Sequence, residues 1–105
     1  MESISRRKRH HRTRIQIAAN ILEIAKNGAR KTRIMYLGNL SFDLLQKYLE
    51  MLSTCGLLQQ RNGPDKSYVL TEKGQHFLED YYELEKHSEV VESKKRLLER
   101  SLTPT

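Results

Sequence analysis

The sequence predicts a mainly α-helical fold: a small α+β head followed by one long C-terminal helix. Three observations predict it. Residues 29–56 read as a short helix, a turn and a second helix, with Gly38-Asn39 at the turn and Gly56 as the stop. Residues 57–70 hold two short runs around Asn62-Gly63-Pro64-Asp65, the turn chemistry of a hairpin. Residues 72–101 contain no proline and repeat seam residues in 4-3-4-3 steps.

Each element has a local cause. From Arg12 onward, Ile15, Ala18, Leu22 and Ala25 fall on one helical stripe, and Ile17, Ile21 and Ile24 on its neighbour, which predicts a broad buried face. Asn27-Gly28 ends that helix, with Gly28 as a left-handed cap. Ala29-Arg30-Lys31 is long enough only for a bridging strand. Thr32 is expected to cap a helix over Arg33 to Leu37, and Ser41 to cap the next, which runs to about Thr54. On this second helix Phe42, Leu45, Leu49 and Leu52 form the apolar stripe, flanked by Leu44, Tyr48 and Met51. Asp43, Gln46, Lys47 and Glu50 share the wet face. Leu57 to Arg61 and Ser67 to Leu70 are the hairpin strands. Thr71 caps the last helix, which runs to about Ser101 and is roughly 45 Å long at 1.5 Å per residue. Gly74, in its first turn, is expected to cost little. A helix of that length must project from so small a head.

A short helix, a turn, a second helix, a hairpin and a further helix, in that order, form the chain logic of a winged helix-turn-helix. That scaffold places one helix in a DNA groove. The expected organisation is a basic arm over residues 1–11, a winged helix-turn-helix domain over 12–74 and a coiled-coil dimerisation helix over 75–102. The seam of that helix is Phe77, Tyr81, Leu84, Ser88, Val91, Lys95, Leu98 and Leu102, with Ser88 and Lys95 as its weak points. About 60–70 residues remain to bury themselves in the head, near the lower limit for a self-sufficient core, so burial against a second copy would help.

Charge is unevenly placed. Residues 1–71 hold 13 Lys/Arg against 5 Asp/Glu, and residues 72–105 hold 6 against 8, so the head carries +8 and the tail −2 of the net +6. A positive head predicts a polyanionic partner, double-stranded DNA first, because neutralising phosphates releases counterions. No apolar run approaches the roughly 20 residues a membrane span needs. The basic start lacks the apolar stretch of a secretory leader. A single cysteine, Cys55, excludes an internal disulfide and offers no metal-ligand spacing. The expected setting is the cytoplasm, associated with the nucleoid. No small-molecule ligand, cofactor or metal is implied. Nor is an enzyme, since neither a Gly-rich phosphate loop nor a nucleophile–base constellation is present.

The candidate DNA contacts fall in four groups. Arg6, Arg7, Lys8, Arg9, Arg12 and Arg14 form the arm, suited to phosphates or a minor groove. Arg30, Lys31, Thr32 and Arg33 flank the start of the first helix of the helix-turn-helix, which crosses the DNA backbone. Ser41, Gln46 and Lys47 are the groove-facing groups of the second helix, Gln46 suited to adenine and Lys47 to guanine or phosphate. Arg61 and Lys66 lie at the wing tip. Asp43 and Glu50 share the second helix's wet face and repel phosphate, which favours backbone-driven binding with weak sequence preference. The five tyrosines fall at helical spacing and are assigned to core or seam packing. Cys55 is assigned to the core, and the four histidines to solvent. The competing reading is a winged-helix protein-interaction module with the coiled coil as scaffold.

The stretch Lys31-Thr32-Arg33-Ile34-Met35-Tyr36 resembles a family of small archaeal winged-helix proteins typified by the crenarchaeal "10a" nucleoid-associated proteins. Asn39-Leu40-Ser41, Tyr48-Leu49, Leu52, Gly56-Leu57-Leu58 and Tyr68-Val69-Leu70-Thr71-Glu72-Lys73-Gly74 continue the match. The resemblance spans about residues 15–90. It implies a homodimer joined through the C-terminal helix as an antiparallel coiled coil, a head at each end, and abundant DNA binding with little sequence preference, in chromatin organisation or transcriptional regulation. The tail's own charges point the other way. With Tyr81, Ser88 and Lys95 at a, the e positions are Glu85, Glu92 and Glu99. An antiparallel pair sets these against each other, whereas a parallel pair matches Lys94 with Glu99 and His87 with Glu92. Exposed pairs of this kind contribute only a few tenths of a kcal/mol each, so orientation stays open.

Overall fold

The computed structural model describes residues 12–63 and 66–103. Four helices and one hairpin are found among them: α1 (Arg14–Ile24), α2 (Lys31–Gly38), α3 (Phe42–Thr54), β1 (Leu58–Gln60), β2 (Tyr68–Leu70) and α4 (Glu72–Ser101). This is a winged-helix head with a long C-terminal helix, the fold class the sequence predicts.

Helix α1 starts at a capping box. The Thr13 hydroxyl accepts from the Gln16 N–H (3.1 Å), and the Gln16 Oε1 accepts from the Thr13 N–H (2.9 Å). Ala18, Ala19, Ile21 and Leu22 are buried, whereas Ile15, in the first turn, is half exposed. The expected cap at Gly28 is corrected: α1 ends at Ile24 with Ala25 as its C-cap (φ −86°, ψ 6°), and Gly28, φ +96°, turns the chain three residues later in a left-handed conformation that suits glycine.

Ala29 then bridges to Tyr68, its N–H donating to the Tyr68 carbonyl (2.9 Å) and the Tyr68 N–H donating back (2.7 Å). This extended backbone continues into Arg30, which occupies the N-cap of α2 at φ −77°, ψ 158° without a side-chain cap bond. The expected cap at Thr32 is therefore corrected: the bridge delivers an extended chain to Arg30, and the helix begins at Lys31. At its other end Asn39 is left-handed (φ 54°), and the Leu40 N–H closes on the Met35 carbonyl (3.1 Å). Ser41 caps α3 as expected, its Oγ accepting from the Leu44 N–H at 3.2 Å. Helix α3 ends with the Leu57 N–H bonded to the Leu52 carbonyl (2.9 Å) and the Gly56 N–H to the Ser53 carbonyl (3.1 Å), a Schellman closure.

The wing is an antiparallel pair with Leu58 opposite Leu70, Gln59 opposite Val69 and Gln60 opposite Tyr68. The predicted turn residues Pro64 and Asp65 lie outside the described residues. Thr71 starts α4, accepting from the Gly74 N–H (3.0 Å) and donating to the Gly56 carbonyl (2.6 Å). The Lys73 ammonium donates to the Cys55 carbonyl at 2.8 Å, a cation against the C-terminus of α3.

The core gathers Ile21 and Leu22 of α1, Ile34 of α2, Leu45, Leu49 and Leu52 of α3, Leu58 of the wing and Leu78 of α4. Helix α4 contributes only its first three turns. Gly74 and Leu78 are buried and Phe77, Tyr81 and Tyr82 lean half-buried on the head, while every residue from Glu83 to Thr103 is exposed. One phenol ties the helix to α1, and a second bonds within α4. Tyr82 donates to Glu23 of α1 (2.9 Å) and carries the Lys26 ammonium 6.0 Å from its ring centroid. Tyr81 donates to Glu85 (2.9 Å), and burial first, then that hydrogen bond, pushes its pKa up to about 12. Both phenols are therefore neutral donors at physiological pH.

Gly74 is more constrained than the sequence suggests. A Cβ there would collide with the Leu57 carbonyl oxygen and lie 2.8 Å from Leu70 Cδ1. That carbonyl also accepts from the Thr71 N–H (3.2 Å), so it is held in place. Gly74→Ala is expected to destabilise the head by about 1–3 kcal/mol, as overpacking does. A thermal melt checks it, and an unchanged midpoint would mean the hairpin yields freely.

Candidate nucleic-acid interface

The N-terminus of α2 is the hub of the basic surface. On one side, Arg30, Thr32 and Arg33 line an open cleft of about 410 Å³ with Gly28, Ala29, Ser67 and the wing's Arg61. Arg61 lies over Gly28, where a Cβ would meet its guanidinium at 3.3 Å, and its backbone N–H donates to Ser67 (2.8 Å). On the other side the Lys31 ammonium sits 5.2 Å from the centroid of the Phe42 ring at the start of α3. One helix end thus joins the wing to the second helix of the helix-turn-helix.

The electrostatics of that end are informative. The first turn of α2 carries Lys31 and Arg33 and no acidic residue, and its N-cap makes no side-chain cap bond. Cations at a helix N-terminus oppose the positive end of the macrodipole, and an anion bound there would relieve both. Helix α3 has the ordinary arrangement, with Asp43 in its first turn and Ser41 as cap.

The other candidates are more dispersed. Gln46 and Lys47 are exposed on α3 beside Asp43 and Glu50. Lys66 is exposed just after the wing turn, with φ 49°. Ser41 spends its hydroxyl on capping. Arg12 is half-buried and donates to the Gly38 carbonyl (2.9 Å), tying the residue before the α1 cap to the end of α2. Arg14 is exposed and reaches Met51 Sδ at 3.3 Å. Arg6, Arg7, Lys8 and Arg9 lie outside the described residues.

Three side chains differ from their sequence assignment. Phe42 is 57% exposed instead of lying in the α3 core stripe, because the first residue of the helix lies at the open corner between α2 and α3 and meets Lys31 there. Tyr36 is 83% exposed, on the face of α2 opposite Ile34, although the other four tyrosines pack against the head as expected. Cys55 is exposed at the C-cap of α3 instead of buried. Phe42 and Tyr36 were findable by phase. Phe42 precedes the first buried position of its helix by a turn, and Tyr36 follows Arg33 by three residues on the charged side of α2. Among the described residues no His, Cys, Asp and Glu group could hold a metal ion, and no helix is long and apolar enough to cross a membrane.

The fold and this surface define a winged helix-turn-helix protein, and the chain belongs to that family, whose profile matches residues 11–89. Among its relatives is the uncharacterized protein MJ0287 of Methanocaldococcus jannaschii, 33% identical over 81 residues that cover 76% of this chain and 80% of the relative. Among solved structures, the crystal structure of Sso10a-2, a DNA-binding protein from Sulfolobus solfataricus, matches with a TM-score of 0.80 and 27% sequence identity, over 90% of this chain and 100% of that one. The resemblance to the archaeal "10a" proteins therefore holds in both sequence and structure.

Proposed function

We propose that this chain is a dimeric, non-enzymatic winged-helix protein that binds double-stranded DNA mainly through phosphates, with weak sequence preference, in the cytoplasm at the nucleoid. Its role is chromatin organisation or transcriptional regulation. The observation that carries this reading is the basic, uncapped start of α2, flanked by Arg61 of the wing and Lys31 against α3. The DNA-binding relative of the same fold supports it. So does the distribution of charge, +8 in residues 1–71. The stripe Leu84, Val91, Leu98 and Leu102, all at least half exposed, supports a second copy along α4.

The test is fluorescence anisotropy on two unrelated labelled duplexes across a salt series. Contacts from Arg30, Lys31, Arg33, Lys47, Arg61 and Lys66 give an expected log–log slope of about −5 per head, at 0.9 per phosphate, and phosphate contacts from Arg6, Arg7, Lys8 and Arg9 of the arm would steepen it. Tight binding to both duplexes is the expected result. A preference of about 10³ or more for one would make the protein a sequence-specific regulator. Negligible binding to both at physiological salt would overturn the reading in favour of a protein-interaction module, which the exposed carboxylates Asp43 and Glu50 on α3 favour.

A further inference from the structure

We infer that Phe42 is an apolar base contact, reading the 5-methyl groups of thymine in the major groove. The inference rests on the DNA-binding reading and adds a ligand feature to it.

Three observations meet at this residue. Phe42 is 57% exposed at the first position of α3, so the core does not use its ring. At 100° per residue it borders the wet face, next to Gln46 one turn on. Its ring is held by Lys31, 5.2 Å from the centroid. In a helix-turn-helix pose the N-terminal residues of the second helix meet base edges while the first helix crosses the backbone. Phe42 and Lys31 occupy those two places. A single pose sends the ammonium to a phosphate and the ring into the groove.

The chemistry of the surrounding face selects the base feature. Asp43 and Glu50 oppose phosphate, which leaves Gln46 and Lys47 as the hydrogen-bonding readers. A phenyl ring offers no hydrogen bond. The apolar group on a major-groove edge is the thymine methyl, which phenylalanine contacts favourably. The result is a mild preference for thymine-bearing steps on top of phosphate-driven affinity. The overall positive charge of the head fits a nucleic acid at this exposed ring better than a basic or neutral protein partner.

The test compares a thymine-containing duplex with the same duplex carrying deoxyuridine at every thymine, which removes only the methyl groups. Anisotropy is read for the wild-type chain, Phe42→Ala and Phe42→Leu across the same salt series. The wild type is expected to lose about fourfold in affinity per methyl buried, the value of one buried carbon. Phe42→Ala is expected to bind both duplexes alike with an unchanged salt slope, and Phe42→Leu to keep part of the discrimination. Any effect of deoxyuridine on duplex shape survives in Phe42→Ala and so separates from the contact. Equal wild-type binding to both duplexes would overturn the inference and leave the DNA-binding reading standing. Discrimination that is undiminished in Phe42→Ala would also overturn it. Binding to neither duplex would overturn both.

Discussion

Replacing Arg30, Lys31 and Arg33 together by alanine is expected to weaken DNA binding by on the order of a hundredfold at about 0.2 M salt, equally on unrelated sequences. The magnitude follows from counterion release: three lost contacts at 0.9 each make the log–log slope less negative by about 2.7, and affinity falls by that power of the salt ratio to 1 M. The three cations surround one helix end, so they act on one stretch of backbone. The fold should survive the change. None of the three side chains belongs to the core, and alanine suits the first turn of a helix, where Lys31 and Arg33 lie. Lys31 is the informative member, since its ammonium also rests on Phe42. A slope change nearer two than three would mean that Lys31 stays on the ring in the complex. Unchanged affinity and slope, with an unchanged melt, would remove this helix end from the interface.

Much of the fold was legible because its signals are local. Ser41 and Thr71 precede their helices as caps, and both accept from the N–H three residues on. Glycine and asparagine mark the stops at Asn39 and Gly56. The unbroken run from Glu72 to Ser101 has no competing structure. The misses have tertiary causes. Thr32 looked like a cap until the Ala29–Tyr68 bridge, formed by residues 39 apart, supplied an extended N-cap at Arg30. Gly74 looked incidental because its constraint is the Leu57 carbonyl across the hairpin. Phe42 carried the right period but the wrong depth: periodicity gives a direction around the helix, and only the neighbouring helix decides whether anything lies there. For the candidate site the sequence named the cations. It could not show that Arg30, Arg33 and Arg61 share one cleft, because wing and α2 meet only in three dimensions.

Leu84→Asp with Leu98→Asp is expected to convert the proposed dimer into a monomer of 12.4 kDa and to cut affinity for long DNA by about 10²–10⁴. The argument starts from α4 itself. From Glu83 to Ser101 the helix has no buried residue, yet Leu98 and Leu102 are 67% and 79% exposed and Leu84 and Val91 lie on the same seam. In proteins most helical stability comes from packing an amphipathic face, and this stretch packs on nothing in its own head. Burying each leucine against a second copy contributes about 1.5–3 kcal/mol, so two carboxylates in the seam remove most of the gain and add charge repulsion. The head should be untouched, because Phe77 and Leu78, not Leu84 or Leu98, pack on its core. Light scattering reads the mass and circular dichroism the helix content. Two heads on one duplex bind with an effective local concentration that separate heads lack, so the variant should lose affinity on a long duplex while matching the wild type on one too short for both heads. A wild-type mass of one chain would sink the dimer. Equal loss on short and long duplexes would mean instead that the seam contacts DNA directly.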